Sequence, residues 1–448
     1  MRDKTNWIRE KVAKINSISN CFCTAKWLQT SLYLQNGYNH SCHLPSSHKI
    51  PLDELQENPA ALHNTKYKKE QRKLMLEGIR PQECGYCWKI EDLGKDYLSE
   101  RHTKTSMSWA WPRFDEISKS DPNADVYPSY LEVSFSNACN LKCGYCNPTQ
   151  SSKWMEEIKQ FGPYNTINSY NNLEFLNKVD KMPYRHNDDN PYVEAFWKWF
   201  PEALDHLKVF RITGGEPLMS KDTWRVLEYI KNKNKKDLTL AINTNLVVDD
   251  KLIDKLIKEI NDVKGSVGKI ELYTSLESIG KPAEYVRYGL DFEKWKHNYE
   301  KVLQNVDCII HVMTTINALS LTTFNEFVNM LMNYKIKYNQ KYDRVPFSLN
   351  IMQYPAFLNC KILPQELREQ YAQSILNHGI TWLTKLNEDN IPHDSLLVNN
   401  FKRFCDYLIK DEDYSEHMQD FKNFITEYDI RRNVNFKETF PELAFLLD

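Results

Sequence analysis

Three cysteines stand close together in the run Ser136-Asn-Ala-Cys139-Asn-Leu-Lys-Cys143-Gly-Tyr-Cys146-Asn-Pro148. Thiolates at C-x3-C-x2-C spacing can hold three irons of a [4Fe-4S] cluster and leave the fourth iron without a protein ligand. An open iron is a place where a small molecule can bind and react. Two blander readings use the same residues: a share of a zinc site, or buried thiols with no metal. The apolar stretch Tyr130-Leu-Glu-Val-Ser-Phe135 precedes the run, so the cysteines follow the end of a candidate strand.

A second motif follows the next apolar stretch, Lys208-Val-Phe-Arg-Ile-Thr213, and reads Gly214-Gly215-Glu216-Pro217. Two glycines let the backbone pass close to a ligand, Pro217 fixes the exit of the turn, and Glu216 can accept a hydrogen bond from an ammonium group. Alone, Gly-Gly before a helix is an ordinary strand-to-helix turn. One strand after the cysteine run, the pair resembles the radical S-adenosylmethionine (SAM) enzymes. The resemblance implies that Cys139, Cys143 and Cys146 hold the catalytic cluster and that SAM chelates its open iron through the methionine amino and carboxylate groups. One electron then cleaves the sulfonium, and the 5′-deoxyadenosyl radical takes hydrogen from a substrate. It implies cofactor contacts at Gly214, Gly215, Glu216 and Pro217, and a backbone contact to adenine at Tyr145.

Further positions carry the resemblance less directly. Asn243-Thr-Asn245 stands where the family often has Thr-Asn-Gly, so Asn243 either meets ligand or caps the next helix. Ser275-Leu-Glu277 is similar to the family's Ser-x-Asp, with Ser275 as the contact and Glu in place of Asp. Arg287 is a candidate clamp for the methionine carboxylate, since a guanidinium fork makes two bonds to a carboxylate, and equally a surface arginine. Asn317 is a weaker candidate.

The first hundred residues hold Cys23, Gly37, Cys42, Cys84 and Cys87 at C-x13-G-x4-C-x41-C-x2-C spacing. Four thiolates suit one four-coordinate site, structural zinc being the plain reading. The spacing also resembles the twitch domain, the short form of the SPASM domain, which implies an auxiliary [4Fe-4S] cluster. Such domains usually follow the core, whereas this one precedes it. Cys21 is a substitute for Cys23. The stretch Glu70-Gln-Arg-Lys-Leu-Met-Leu-Glu-Gly78 reads as a scaffold helix.

These groups must be positioned by a larger frame. From 130 to 355 the pattern alternates strand and helix, with strands at 131–136, 208–213, 237–243, 268–275, 306–315 and 346–353. Several are continuous apolar runs, as a sheet covered on both faces requires. Right-handed crossovers then give an α/β fold, a partial (β/α)6 TIM-like barrel with ligands at the carboxyl ends of its strands. The division is 1–105 twitch-like, 106–129 linker, 130–355 core and 356–448 a helical C-terminal extension that closes the open side. The stretch 161–190 exceeds what a barrel needs and reads as a lid or a surface excursion. Cys308, Cys360 and Cys405 read as buried apolar thiols.

Composition bounds the rest. With 448 residues, 41% of them hydrophobic, the chain can bury a large core, and a net charge of -2 sets up no field for nucleic acid or an anionic membrane. The expectation is a cytoplasmic enzyme with no membrane span and no secretory signal. Its clustered cysteines suit metal binding in a reducing compartment. The resemblance implies an electron donor such as flavodoxin or ferredoxin and a peptide or small-molecule substrate. It also leaves two alternatives: redox-neutral radical chemistry with a structural zinc site, or an iron-sulfur module without turnover.

Overall fold

The computed structural model describes residues 4–94, 97–167, 170–185 and 188–448. The strands are β1 (Gln29–Tyr33), β2 (Tyr38–His40), β3 (His48–Lys49), β4 (Tyr130–Ser134), β5 (Lys142–Cys143), β6 (Val209–Thr213), β7 (Lys235–Asn243), β8 (Val267–Ser275), β9 (Arg287–Tyr288) and β10 (Ile309–Met313). Eight form one sheet in the order β10-β8-β7-β6-β4-β1-β2-β3, and β5 pairs with β9 alone. From β10 to β1 all neighbours are parallel, while β2 and β3 add an antiparallel meander.

Period-two alternation sorts the strand residues between two faces. Leu131, Val133, Phe210, Ile212, Leu240, Ile242, Leu272 and Ile310 are fully buried in the main apolar core, with the crossover helices. Those helices are Ser152–Phe161, Pro191–His206, Lys221–Lys231, Asp250–Val263 and Phe292–Asn305. Each fully buried aliphatic or aromatic side chain contributes on the order of 1.5–3 kcal/mol, so this layer fixes the sheet's curvature and register. The alternate residues, Glu132, Arg211, Asn243, Tyr273 and His311, share the opposite, inner face.

Two expectations change. The stretch 346–353 is not a full strand: it meets β10 and its continuation through two isolated parallel bridges, Val312 to Phe347 and Ile316 to Ile351. Between them Thr314 Oγ1 donates to Ser348 O (2.7 Å) and accepts from Asn350 N (3.1 Å), so a side chain stands in for the ladder. Pro346, which has no N–H, opens that stretch. The second change concerns the N-terminal segment. β1 lies parallel to β4 over its whole length, Gln29 to Tyr33 against Tyr130 to Ser134, so the cysteine-rich segment joins the core through a continuous sheet. Nor is 106–129 a spacer. Trp109, Ala110, Phe114, Ile117 and Val126 pack with Ile15, Phe22, Trp27 and Trp88 in a second, smaller core.

Gly37 turns β1 into β2 at φ +71, and a Cβ there would lie 2.0 Å from the Tyr192 ring, so that position needs glycine for packing. Beyond the sheet, the helices Gln365–Glu388, Leu397–Ile409 and Met418–Arg432 form the C-terminal region. No described helix is long and apolar enough to cross a membrane.

Candidate active site

The cysteine loop leaves the carboxyl end of β4 and lies over the ends of the neighbouring strands. Its carbonyls are held one by one. Arg432 Nη1, from the last long helix, donates to Lys142 O at 2.6 Å, and Trp154 Nε1 donates to Cys143 O at 2.8 Å. Tyr170 OH lies 2.9 Å from both Gly144 O and Cys146 O, and Asn171 Nδ2 donates to Cys146 O at 3.0 Å. Gly144 N donates in turn to Val286 O at 2.7 Å, next to the pairing of β5 with β9. The excess stretch 161–190 therefore reaches the site through Tyr170 and Asn171, a role that no local motif signalled; its positions 168–169 and 186–187 lie outside the described residues. Tyr170→Phe removes the shared donor and leaves a buried carbonyl unpaired. A loss of about 1–3 kcal/mol is expected in urea unfolding, and a loss below a few tenths would show that the clamp contributes nothing.

The Gly-Gly-Glu-Pro turn packs directly on this loop. Gly215 N donates to Ser136 O (3.2 Å) and Glu216 N to Ala138 O (2.7 Å). A Cβ on Gly215 would lie 2.4 Å from Ala138 O, and one on Gly214, at φ +131, 2.9 Å from Ser134 Oγ. The glycines thus serve the close approach of two loops, whereas the sequence reading assigned them to ligand approach. Pro217 opens a short 3-10 turn, Pro217–Met219. Glu216 is buried, and its carboxylate accepts from Leu218 N (3.1 Å) and Asn245 N (2.7 Å). It ties the ends of β6 and β7 together before any ligand arrives. Burial raises its carboxyl to about 7 against these two amide bonds, which favour the ion.

Arg287 is not a surface arginine. It is 5% exposed, and its Nε and Nη2 donate to Glu277 Oε2 at 3.1 and 2.5 Å. Its Nη1 lies 3.8 Å from Cys143 Sγ. Glu277 also accepts from Tyr145 OH at 3.0 Å, so the residue that departs from the family pattern is the hub of a buried triad joining the end of β8 to the cysteine loop. Asn243 Oδ1 accepts from Arg211 Nε at 3.0 Å on the inner face, and Ser275 ends β8 on the same face. Asn317 is committed elsewhere: its carboxamide accepts from Leu319 N and Ser320 N and donates to Thr315 O, closing a turn.

The donor chemistry suits a thiolate-ligated group. Burial and the neighbouring thiols push Cys139 well up and Cys146 to about 12, and burial pushes Cys143 up as well, against Arg287 beside it, which favours the ionised form. Protons held this tightly leave when a metal takes the sulfurs. Cys23, Cys42, Cys84 and Cys87 line a second cavity with Lys26, Met75, Arg101 and Lys104, and burial pushes all four thiols up. Cys21 faces away, its Sγ near Met75 O and Ile79 O, so Cys23 is the residue of the pair that joins the cavity. Among the described residues, no three His, Cys, Asp or Glu side chains converge on the point one ion would occupy. His43, next to Cys42, brings its Nε2 to 4.0 Å from Glu132 Oε2, so this cavity adjoins the inner face of the sheet.

Residues 133–331 match the Radical SAM superfamily model. The GTP 3′,8-cyclase of Aliarcobacter butzleri is 28% identical over 153 residues, 34% of this chain and 35% of the relative. That of Campylobacter lari is 24% identical over 216 residues, 47% and 53% of the two chains. The chain thus spans about a third to a half of the length of these relatives. A solved structure of native anSMEcpe with bound AdoMet and Kp18Cys peptide is 17% identical, with 57% of this chain and 61% of that one covered at a TM-score of 0.33. The matched segment runs from β4 through the cysteine loop and the Gly-Gly-Glu-Pro turn to the helix Phe324–Tyr338, and by it the chain carries a radical SAM domain at residues 133–331.

Proposed function

We propose that the protein is a radical SAM oxidoreductase or modifying enzyme acting on a polar substrate held against the inner face of the sheet. The observation that carries it is the cysteine loop itself: three thiols on a backbone whose Lys142, Cys143, Gly144 and Cys146 carbonyls are pinned, seated on the Gly-Gly-Glu-Pro turn at the strand ends. Cys139, Cys143 and Cys146 would hold a [4Fe-4S] cluster, which when bound supplies the electron that cleaves SAM. Glu216 accepts the methionine ammonium as a further partner of its carboxylate, and Arg287, poised by Glu277, keeps positive charge beside Cys143. Gly214 and Gly215 hold the turn at the distance where Glu216 reaches the loop.

The inner face supports the polar substrate. A barrel interior is ordinarily filled by branched apolar side chains. Here Arg211 stands between Asn243, Glu132 Oε2 at 3.8 Å and the Tyr273 ring at 4.1 Å, with a thioether, Met313 Sδ, 3.2 Å from its Nη2. Ser31 Oγ and Ser134 Oγ are buried there with no hydrogen-bond partner among the described residues. Groups left in this state ask for water or ligand. The four N-terminal cysteines, beside the same face, would hold an auxiliary [4Fe-4S] cluster as acceptor of an electron from the substrate. A second reading is favoured by the relatives: a ring-forming reaction within one substrate, redox-neutral overall, for which a structural metal at Cys23, Cys42, Cys84 and Cys87 suffices.

The test is anaerobic reconstitution followed by a strong one-electron reductant. About eight irons per chain and slow release of 5′-deoxyadenosine from SAM are expected. Zinc with about four irons would favour the second reading, and no 5′-deoxyadenosine would remove both. A pH effect follows from Glu216. Its folded carboxyl titrates at about 7, above the ordinary value of 4.5, so the ion that receives an ammonium fills only as pH rises through 7. Without ligand the same shift contributes stability below pH 4.5 that is lost as pH climbs to 7. SAM is therefore expected to bind about tenfold tighter at pH 8 than at pH 6 in calorimetric titration. Glu216→Gln should flatten that profile, and a variant that keeps the wild-type slope would take Glu216 out of the SAM contact.

A further inference from the structure

The carbonyl that precedes Cys143 is held from outside the radical SAM domain, which ends at residue 331. Arg432, the last residue of the helix Met418–Arg432 and buried, donates from Nη1 to Lys142 O at 2.6 Å, one peptide bond away from Cys143. Its other nitrogens grip Glu157, Nε to Oε2 at 3.0 Å and Nη2 to Oε1 at 3.1 Å. Glu157, on the helix Ser152–Phe161 and equally buried, is shared. Lys142 Nζ lies 2.5 Å from its Oε2, and Tyr164 OH donates to its Oε1 at 2.7 Å. One carboxylate thus serves two cations. The rings of Tyr428 at 3.9 Å and Trp154 at 4.6 Å cover the guanidinium. Among the described residues, no second carboxylate lies within ion-pair distance of Arg432 or Lys142.

The other charges at the cysteine loop are matched. Arg287 pairs with Glu277, both buried, and brings its Nη1 to 3.8 Å from Cys143 Sγ. Glu216 stands on the Cys139 side, its N–H on Ala138 O, with its carboxylate reserved for the methionine ammonium. Lys142, Glu157 and Arg432 therefore hold one positive charge in excess, on the Cys143 side. Its field reaches the ligands: against burial, which pushes the Cys143 and Cys146 thiols up, Arg432 favours the ionised form of both. A charge kept from water is expensive unless an opposite charge meets it. Three thiolates on an oxidised [4Fe-4S] core make a monoanion, and one added electron makes a dianion. An excess cation favours the dianion, the more so where burial limits screening, and cluster potentials respond to such charge. We propose that Lys142, Glu157 and Arg432 form a cationic frame that eases reduction of the cluster held by Cys139, Cys143 and Cys146, three positioning residues of which one comes from the C-terminal region. The inference rests on the reading that these cysteines hold that cluster.

The experiment is an anaerobic redox titration of the reconstituted full chain. Electron paramagnetic resonance follows the reduced-cluster signal that SAM alters, which separates this cluster from any at the four N-terminal cysteines. Lys142→Met drops the excess charge and leaves the Lys142 carbonyl, with the Arg432 bond to it, in place. Glu157→Gln changes the charge in the opposite sense. At the parent's midpoint the ratio of reduced to oxidised cluster is expected to fall about tenfold in Lys142→Met and to rise about tenfold in Glu157→Gln, displacements of about 59 mV down and up. A frame that only holds the loop in place would not give shifts of opposite sign. Arg432→Gln should follow Lys142→Met, and Arg432→Lys, which keeps the charge, should stay closer to the parent. Unchanged midpoints, or shifts of one sign, overturn the proposal. So does a Lys142→Met chain that no longer takes up the cluster, which would make Lys142 a structural lysine. A parent without a SAM-sensitive signal instead removes the cluster reading, a separate and recognisable result.

Discussion

Replacing Cys139, Cys143 and Cys146 together by alanine is expected to abolish reductive cleavage of SAM and to remove about four irons per chain, leaving the complement of the four-cysteine site untouched. The two sites stand in different cores, the loop in the large one and Cys23 and Cys87 in the small one, so the loss should be confined to one of them. Iron analysis and product chromatography on the same sample read both halves. Residual 5′-deoxyadenosine above the reductant-only background would sink the assignment of the loop. Loss of every iron would show that the two sites are not independent.

The largest stability effect is expected at Arg287. Arg287→Met strands Glu277, 1% exposed, with the Tyr145 OH as its remaining side-chain donor among the described residues. Removing one partner of a buried ion pair costs about 3–5 kcal/mol. Guanidinium unfolding of the cluster-free chain should show it, and the double variant Arg287→Met with Glu277→Leu should recover much of the loss, because no charge is then left buried. A single variant within about 1 kcal/mol of the parent would mean that water reaches the pair.

Much of the site was legible because it is local. Cys139, Cys143 and Cys146 share one loop, and Gly214 to Pro217 one turn, so spacing alone carries them. The core strands were legible as apolar runs that end within two or three residues of their observed limits, with 346–353 the exception. What escaped depends on partners distant in sequence. Gln29-Thr-Ser-Leu-Tyr33 is too polar to announce a strand, and its ladder partner comes about a hundred residues later. Glu277, discounted as a departure from the family pattern, owes its importance to Arg287 and Tyr145. Tyr170 and Arg432 reach the cysteine loop from an excess stretch and from the last long helix, with no motif of their own.

The parallel pairing of β1 with β4 also decides how the chain can be divided. A core beginning at the linker would present the whole of Tyr130–Ser134 as a bare ladder edge flanked by Leu131 and Val133, the kind of edge that recruits strands from other chains. In the intact protein that edge is taken by β1, and the sheet ends instead in β3, two residues long and carrying Lys49. The cysteine-rich segment thus acts as an edge guard for the strand that carries the cysteine loop.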